Sequence, residues 1–316
     1  MTDIPALIFV HKGFPLYFRI ALEHACITQK DSRIIVLTDN PSYKEQISPE
    51  YKERIEFYSI NDYFSSACKF EPLYIHMSPN TKEFELICFQ RWFAIMDFVN
   101  RQNNINSFFC CDSDNLVYSN LTEIAVSRMN DKEIAITNHI CPNCTFFTKK
   151  SIKIFCNYII DQYSNENNLQ RLKTIYEEKK KENGGICDMT MFDLFQSDNP
   201  EAVHDFGTVQ DEHVFDNQFT SHVGFHEEYM MTHGRKKVSF VNGIPKGMAV
   251  TNGNKKSVYF DVLHFQGWAK AYMSKYSFVS KKIKKRFEKE NFSSKRFLQD
   301  LTPDFVRKIY KILLHR

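Results

Sequence analysis

Glycine and proline are scarce, 10 of each in 316 residues. That excludes a collagen-like fibre and leaves no long low-complexity linker. No apolar run reaches the roughly 18 residues of a membrane-spanning helix. The first apolar stretch, residues 6–10, is too short for a signal peptide, and Asp3 stands where a basic n-region belongs. Neither sign of charge dominates, with 41 Lys and Arg against 38 Asp and Glu. No nucleic-acid module is visible, so nucleic acid is not an expected partner. The nine cysteines are odd in number and scattered. They form no disulfide framework and suit buried thiols in a reducing compartment. A cytoplasmic location is therefore expected. The CxxC at Cys141-Pro-Asn-Cys144 has no second pair or histidines at zinc spacing. It reads as a surface turn with free thiols.

Aromatic side chains are plentiful, with 29 Phe and 15 Tyr, which suggests a core and a cleft rich in flat rings. The length fits one large domain or two small ones. Charge is distributed unevenly. From Ala271 to the end there are 13 Lys or Arg and four Asp or Glu, leaving the first 270 residues net acidic. Residues 281–286 are the densest basic run. Residues 303–316 read as a short helix with Phe305, Ile309, Ile312 and Leu313 on one face. Such an end suits an anionic membrane surface, and equally a solvated helix packed on the body by its apolar stripe.

Apolar runs and helical patterns alternate in the first half. Strands are expected at residues 6–10, 33–38, 55–60 and 107–111, with helices at 15–28 and 84–99. Continuous rather than alternating apolar strands indicate a mostly parallel sheet covered on both faces, the α/β Rossmann-like arrangement. Two helices follow, at 149–163 and 166–181, the second ending at Asn183-Gly184-Gly185. A short helix is expected at 188–196. A late β-meander at 237–241, 248–251 and 257–265 turns at Asn242-Gly243 and Asn252-Gly253, both strong hairpin signals.

The most informative stretch is Phe108-Phe-Cys-Cys-Asp112-Ser113-Asp114. If strand geometry persists, Asp112 and Asp114 point the same way. Ligands in open α/β sheets bind beyond the carboxyl ends of the strands. Two carboxylates there call for a hard divalent cation, Mn²⁺ or Mg²⁺. The second element is His264-Phe-Gln-Gly267-Trp-Ala-Lys270, at the end of a late strand. The imidazole could complete a metal shell, Gly267 could let a phosphate approach the backbone, and Lys270 could reach phosphate oxygens.

This pair of motifs resembles the nucleotide-sugar-dependent glycosyltransferases of the GT-A fold, most closely the glycogenin-like and bacterial lipopolysaccharide galactosyltransferases. The resemblance covers residues 5 to 270 and departs from the pattern after Lys270, where Ala271-Tyr272 replaces Pro-Trp. It implies Mn²⁺ (or Mg²⁺) on Asp112, Asp114 and His264, and a UDP-sugar donor whose diphosphate lies near Lys270. It also implies that Phe9, Val10, His11 and Lys12 hold the base and ribose, although an exposed turn is the alternative for the last two. Arg91, Ser113 and Gly267 would face the nucleotide, with a snorkelling arginine as the alternative for Arg91. Gly184 and Gly185 would border the reacting sugar. Asp188 would act on the sugars as a catalytic group beside Lys270, or merely cap a helix. Asp211 and Glu212 are further acidic candidates, not distinguished from solvated loop residues.

The expected organisation is a catalytic domain over residues 1–270, with a nucleotide half at 1–120 and an acceptor half at 121–270. A basic helical tail follows at 271–316. The expected activity is sugar transfer to a glycan or glycolipid acceptor in surface polysaccharide or lipopolysaccharide synthesis, at the inner membrane face. Two other classes compete. A nucleotidyltransferase would need a Gly-rich phosphate loop, for which His11-Lys12-Gly13 is a poor substitute. A non-catalytic carbohydrate- or membrane-binding protein would not need an intact acidic pair and His264.

Overall fold

The computed structural model describes residues 4–129, 132–224 and 226–293, with side chains described to residue 290. The expected helix at 303–316 lies outside the described residues.

The first half folds as its apolar pattern requires. Strand β1 (Ala6–His11) is followed by α1 (Leu16–Thr28), β2 (Ile34–Thr38), β3 (Ile55–Ser59), α2 (Ser65–Phe70) and α3 (Lys82–Arg101). Pro15 stands just before α1, where a fixed φ costs nothing. Thr81 caps α3 by accepting the Phe84 amide at 3.3 Å, so the helix starts earlier than its apolar pattern suggests. Then come β4 (Ser107–Cys111), β5 (Asn115–Val117), α4 (Leu121–Arg128), β6 (Ile134–Thr137) and β7 (Cys141–Thr148). The helices α5 (Lys149–Ser164), α6 (Glu166–Lys179) and α7 (Asp188–Asp198) lead to β8 (Val203–Asp205) and β9 (His213–Phe215).

Strands β3, β2, β1, β4, β7, β6 and β8 form one sheet in that order. It is parallel from β3 to β4 and between β6 and β8, while β7 runs antiparallel to both its neighbours. The fold is mixed α/β, with a mostly parallel central sheet flanked by helices. Both faces are buried. Ala6 and Ile8 of β1 join a core with α3, α5 and α7, while Leu7 and Phe9 join a core with α1 and the second sheet. This is why the strands read as unbroken apolar runs.

The CxxC expectation fails here. Cys141 and Cys144 lie in β7, and Cys144 is fully buried, its sulfur 3.0 Å from that of Cys111 across the strand pair. Burial pushes the Cys111 thiol up, and Cys144 packs against it inside the sheet rather than in a surface turn. The glycine expected to end the second long helix is displaced by one residue. Asn183 takes the left-handed conformation at φ 56° after a final 3₁₀ turn.

The late strands build a second sheet. It comprises β10 (Glu228–Tyr229), β13 (Ser239–Val241), β14 (Ile244–Thr251) and β15 (Asn254–His264), with β5 and β9 added to β15; β11 (Met231–Thr232) and β12 (Arg235–Lys236) pair separately. The meander turns where expected. Asn242 and Gly243 have φ of 51° and 81°, and Asn252 and Gly253 have φ of 51° and 80°. Positive φ at both central positions is the hairpin geometry that Asn-Gly favours. Helices α8 (Met273–Tyr276) and α9 (Lys281–Ser293) close the described chain. Tyr276, Ile283 and Phe287 are buried in the core that contains α1. No helix among the described residues is long and apolar enough to cross a membrane.

Candidate metal and nucleotide site

The two sheets meet at one turn. Strand β4 ends at Cys111 and β5 begins at Asn115, so Asp112, Ser113 and Asp114 form the link. The Asn115 amide donates to the Asp112 carbonyl at 3.1 Å, and the Asp112 amide donates to Asn143 at 2.7 Å. Strand geometry therefore does not persist through the acidic pair; a tight turn sets their directions. Strand β15 lies antiparallel to β5 with His264 opposite Asn115. The Phe265 amide donates to the Asp114 carbonyl at 2.9 Å. That register carries His264 to the carboxylates despite a separation of some 150 residues.

Asp112, Asp114 and His264 each offer one ligand atom, and these atoms lie within 4.8 Å of one another. His264 Nε2 is 3.5 Å from Asp114 Oδ1, and Lys270 Nζ is 2.6 Å from Asp114 Oδ2. Burial opposes the charge on Asp114, but His264 and Lys270 together outweigh it and hold the carboxyl well below its usual range. Burial raises the Asp112 carboxyl, Arg91 opposes that shift, and neighbouring Asp114 adds to it. Burial also opposes protonation of His264, yet Asp114 prevails and raises its imidazole well above the ordinary value. Two hard oxygen donors and an imidazole, crowded until the carboxylates repel, fit a Mn²⁺ or Mg²⁺ ion.

Arg91 is not a snorkelling surface residue. It donates to Asp112 Oδ1 at 2.7 Å and to Asp188 Oδ2 at 2.8 Å. Its guanidinium lies 4.6 Å from the Trp92 ring centre, and Trp92 Nε1 donates to the same Asp188 oxygen at 3.2 Å. Asp188 is not the cap of α7 either. Cys187 occupies that position and Asp188 is the first helical residue, buried against α3. Its carboxylate is spent on Arg91 and Trp92 rather than on the helix amides.

Around this centre the other expected residues divide. His11 faces it, its imidazole pulled down by burial and pushed up by Asp114. Its ring packs at 4.9 Å on Phe18. Val10 is half-buried and Lys12 exposed. Phe9 is corrected to a core residue, 1% exposed and packed on Phe18, because β1 alternation turns it into the core. Ser113, between the two aspartates in sequence, is buried. Gly267 has φ 60° and open space where a side chain would stand, as a close backbone approach requires. Gly184 and Gly185 do not form such a cradle. A Cβ on Gly185 would come within 2.6 Å of Ser78 Cα, and one on Gly184 within 3.1 Å of the Lys179 carbonyl. Their small size lets the chain pack against itself. Asp211 and Glu212 form an exposed turn with φ of 49° and 66°.

Three neighbours carried no sequence expectation. Asp39 follows β2 and accepts the Gly13 amide at 2.7 Å; its strand-end position is the same signal that marks Asp112. Tyr17 lies with its ring centre 5.4 Å from Lys270 Nζ. Asn217 offers its carbonyl to His264 Nδ1 at 2.6 Å. Nothing in the local sequence marks the last two.

The sequence matches no protein-family profile and no curated protein. Among solved structures, it is similar to the apo form of mouse xyloside xylosyltransferase 1, at 12% identity and a TM-score of 0.47, over 66% of this chain and 87% of that one. It is also similar to the glycosyltransferase GlyE of Streptococcus pneumoniae, at 16% identity and a TM-score of 0.37, over 64% of this chain and 44% of that one. A third similarity is to the galactosyltransferase LgtC in complex with donor and acceptor sugar analogues, at 12% identity and a TM-score of 0.35, over 63% of this chain and 72% of that one.

Proposed function

We propose that this chain is a metal-dependent glycosyltransferase of the GT-A type that moves a sugar from a nucleotide diphosphate donor, a UDP-sugar, to a glycan or glycolipid. The observation that carries this reading is the meeting of Asp112, Asp114 and His264 beyond the carboxyl end of β4, with Lys270 beside them. A divalent ion held by those three side chains would neutralise charge on a diphosphate leaving group. Lys270 adds a second positive charge at the same place, and Gly267 leaves room for a phosphate beside the backbone. Arg91 holds Asp112 in position and shares its charge with Asp188. Asp188 is thereby fixed at the start of α7, and its charge acts in the step that transfers the sugar.

The acceptor end of the reading rests on charge. Helix α9 presents Lys281, Lys282 and Lys285 to solvent, which suits work on a surface-polysaccharide or lipopolysaccharide precursor at an anionic inner membrane face.

Titration calorimetry with UDP and with CTP, in Mn²⁺ and in EDTA, tests the proposal. UDP is expected to bind in Mn²⁺, and to lose that binding in EDTA and in Asp114→Ala, whose melting temperature stays near that of the wild type. Equal binding and turnover of donor in EDTA overturns the metal role. Preference for CTP moves the protein to the nucleotidyltransferases. A hydrolysis screen over UDP- and GDP-sugars then identifies the donor.

A further inference from the structure

A buried ion pair away from the ligands named so far adjoins His264. Lys236 Nζ is 2.6 Å from Asp216 Oδ1, and both side chains are almost wholly buried, at 1% and 0% exposure. Lys236 also donates to the Gln218 carbonyl at 2.7 Å and lies 4.7 Å from the Tyr229 ring centre. A buried pair of this kind is weak evidence for stability, because removing two charges from water offsets much of their attraction. Its placement suggests another use.

Asp216 to Phe219 follow β9 and run beside the end of β15. The Asp216 amide donates to the Val262 carbonyl at 3.0 Å, and the Phe219 amide to the His264 carbonyl at 2.8 Å. Asp216 Oδ2 accepts the His264 amide at 3.2 Å, while Oδ1 accepts the Gln218 amide at 3.2 Å. Lys236 and Asp216 thus grip both sides of Asn217. The carbonyl of Asn217 takes His264 Nδ1 at 2.6 Å. A carbonyl can only accept, so Nδ1 carries the hydrogen. That leaves Nε2 directed at Asp114.

We propose that Asp216 and Lys236 are positioning residues that set the ring direction and the ligating nitrogen of His264. The inference rests on the metal reading above. Outer contacts of this kind fix the tautomer and orientation of a ligating histidine, and their loss typically costs 10–100-fold in metal affinity. Neither residue touches the ligand atoms; Asp216 acts through the His264 amide, and Lys236 through Asp216 and the Gln218 carbonyl on either side of Asn217.

The test uses Lys236→Met, the double variant Asp216→Asn/Lys236→Met, which leaves no lone buried charge, and Asp216→Glu, which keeps the charge but moves it by one methylene. Mn²⁺ affinity is measured calorimetrically in the presence of UDP, with the metal-free melting temperature as the reference for folding. About 10–100-fold weaker Mn²⁺ binding is expected in variants that remain folded. The second readout needs no metal. Modification by diethyl pyrocarbonate, read by mass spectrometry, is expected to accelerate at His264 and not at His24, which is equally buried and belongs to another part of the core. Wild-type Mn²⁺ affinity and wild-type His264 reactivity in any folded variant of the three overturn the inference. Equal acceleration at His24 also overturns it, because the pair then serves stability alone. If the wild type takes no Mn²⁺ with UDP, the metal reading falls, whereas the labelling still decides whether the pair holds the ring.

Discussion

Single side chains at the centre do more than one job, and substitutions can separate them. Asp188 accepts from Arg91 and Trp92 through one oxygen. In Asp188→Asn the amide oxygen can keep both contacts while the charge is lost. Turnover is expected to fall by about 10²-fold or more, with UDP affinity within a few-fold and the melting temperature nearly unchanged. Wild-type turnover would leave Asp188 a purely structural partner. His24 gives a pH prediction. It is fully buried, accepts the Phe278 amide at 3.1 Å through Nδ1, and burial lowers its imidazole to about 3. The unfolded chain takes up this proton near pH 6.5 and the folded chain does not. His24 therefore costs nothing above that pH, and stability falls as pH drops from about 6.5 towards 3. The slope is about 1.4 kcal/mol per pH unit for one proton. Denaturant unfolding between pH 6 and pH 4 should show a shallower loss in His24→Gln, which retains an acceptor but does not titrate. Parallel curves would contradict the assignment.

Among the elements, α9 combines a basic composition with a buried apolar stripe. Six of its residues are Lys or Arg, which suits an exposed charged helix. Ile283 and Phe287, one turn apart, are nevertheless 4% and 3% exposed in the core with α1. The helix packs with its apolar stripe and leaves its charges in water. Phe287→Ala is expected to cost about 3 kcal/mol or more, the usual range for a buried phenylalanine, measured by urea unfolding. A loss under about 0.5 kcal/mol would mean that α9 does not dock. The Asn-Gly turns of the meander belong to the same scale. Their positive φ values are written locally in the sequence, so both hairpins were legible before any tertiary contact was known.

For the whole molecule, the acidic first 270 residues and the basic remainder make an electric asymmetry. Each Lys or Arg near an anionic leaflet contributes about 1 kcal/mol. The full chain is expected to co-sediment with vesicles containing phosphatidylglycerol and not with neutral vesicles. That binding should weaken steeply between 50 mM and 500 mM salt as the charges are screened. Replacing exposed Lys281, Lys282 and Lys285 by Glu should reduce it strongly while the melting temperature changes little. Equal binding to neutral vesicles, or no response to the three replacements, would remove the membrane surface as a partner through this helix.

The sequence by itself determined the parallel core, because a strand buried on both faces carries an unbroken apolar run, as at 34–37 and 108–111. It also determined the acidic pair and the hairpin turns, since each is a matter of neighbours within a few residues. Strands β6 and β7 were not legible. They join the sheet through long-range pairing, and Cys141-Pro-Asn-Cys144 has the local composition of a turn. Phe9 looked like a ligand contact because sequence position shows that a residue lies near a site, not which way it faces. The tertiary structure decided the rest. Asp112 and Asp114 converge through a turn, and the register of β15 on β5 brings His264 to them. Arg91 on α3 and Asp188 on α7 meet only because both helices cover the same face of the sheet. Contacts between residues about a hundred or more positions apart are set by packing, and no local pattern encodes them.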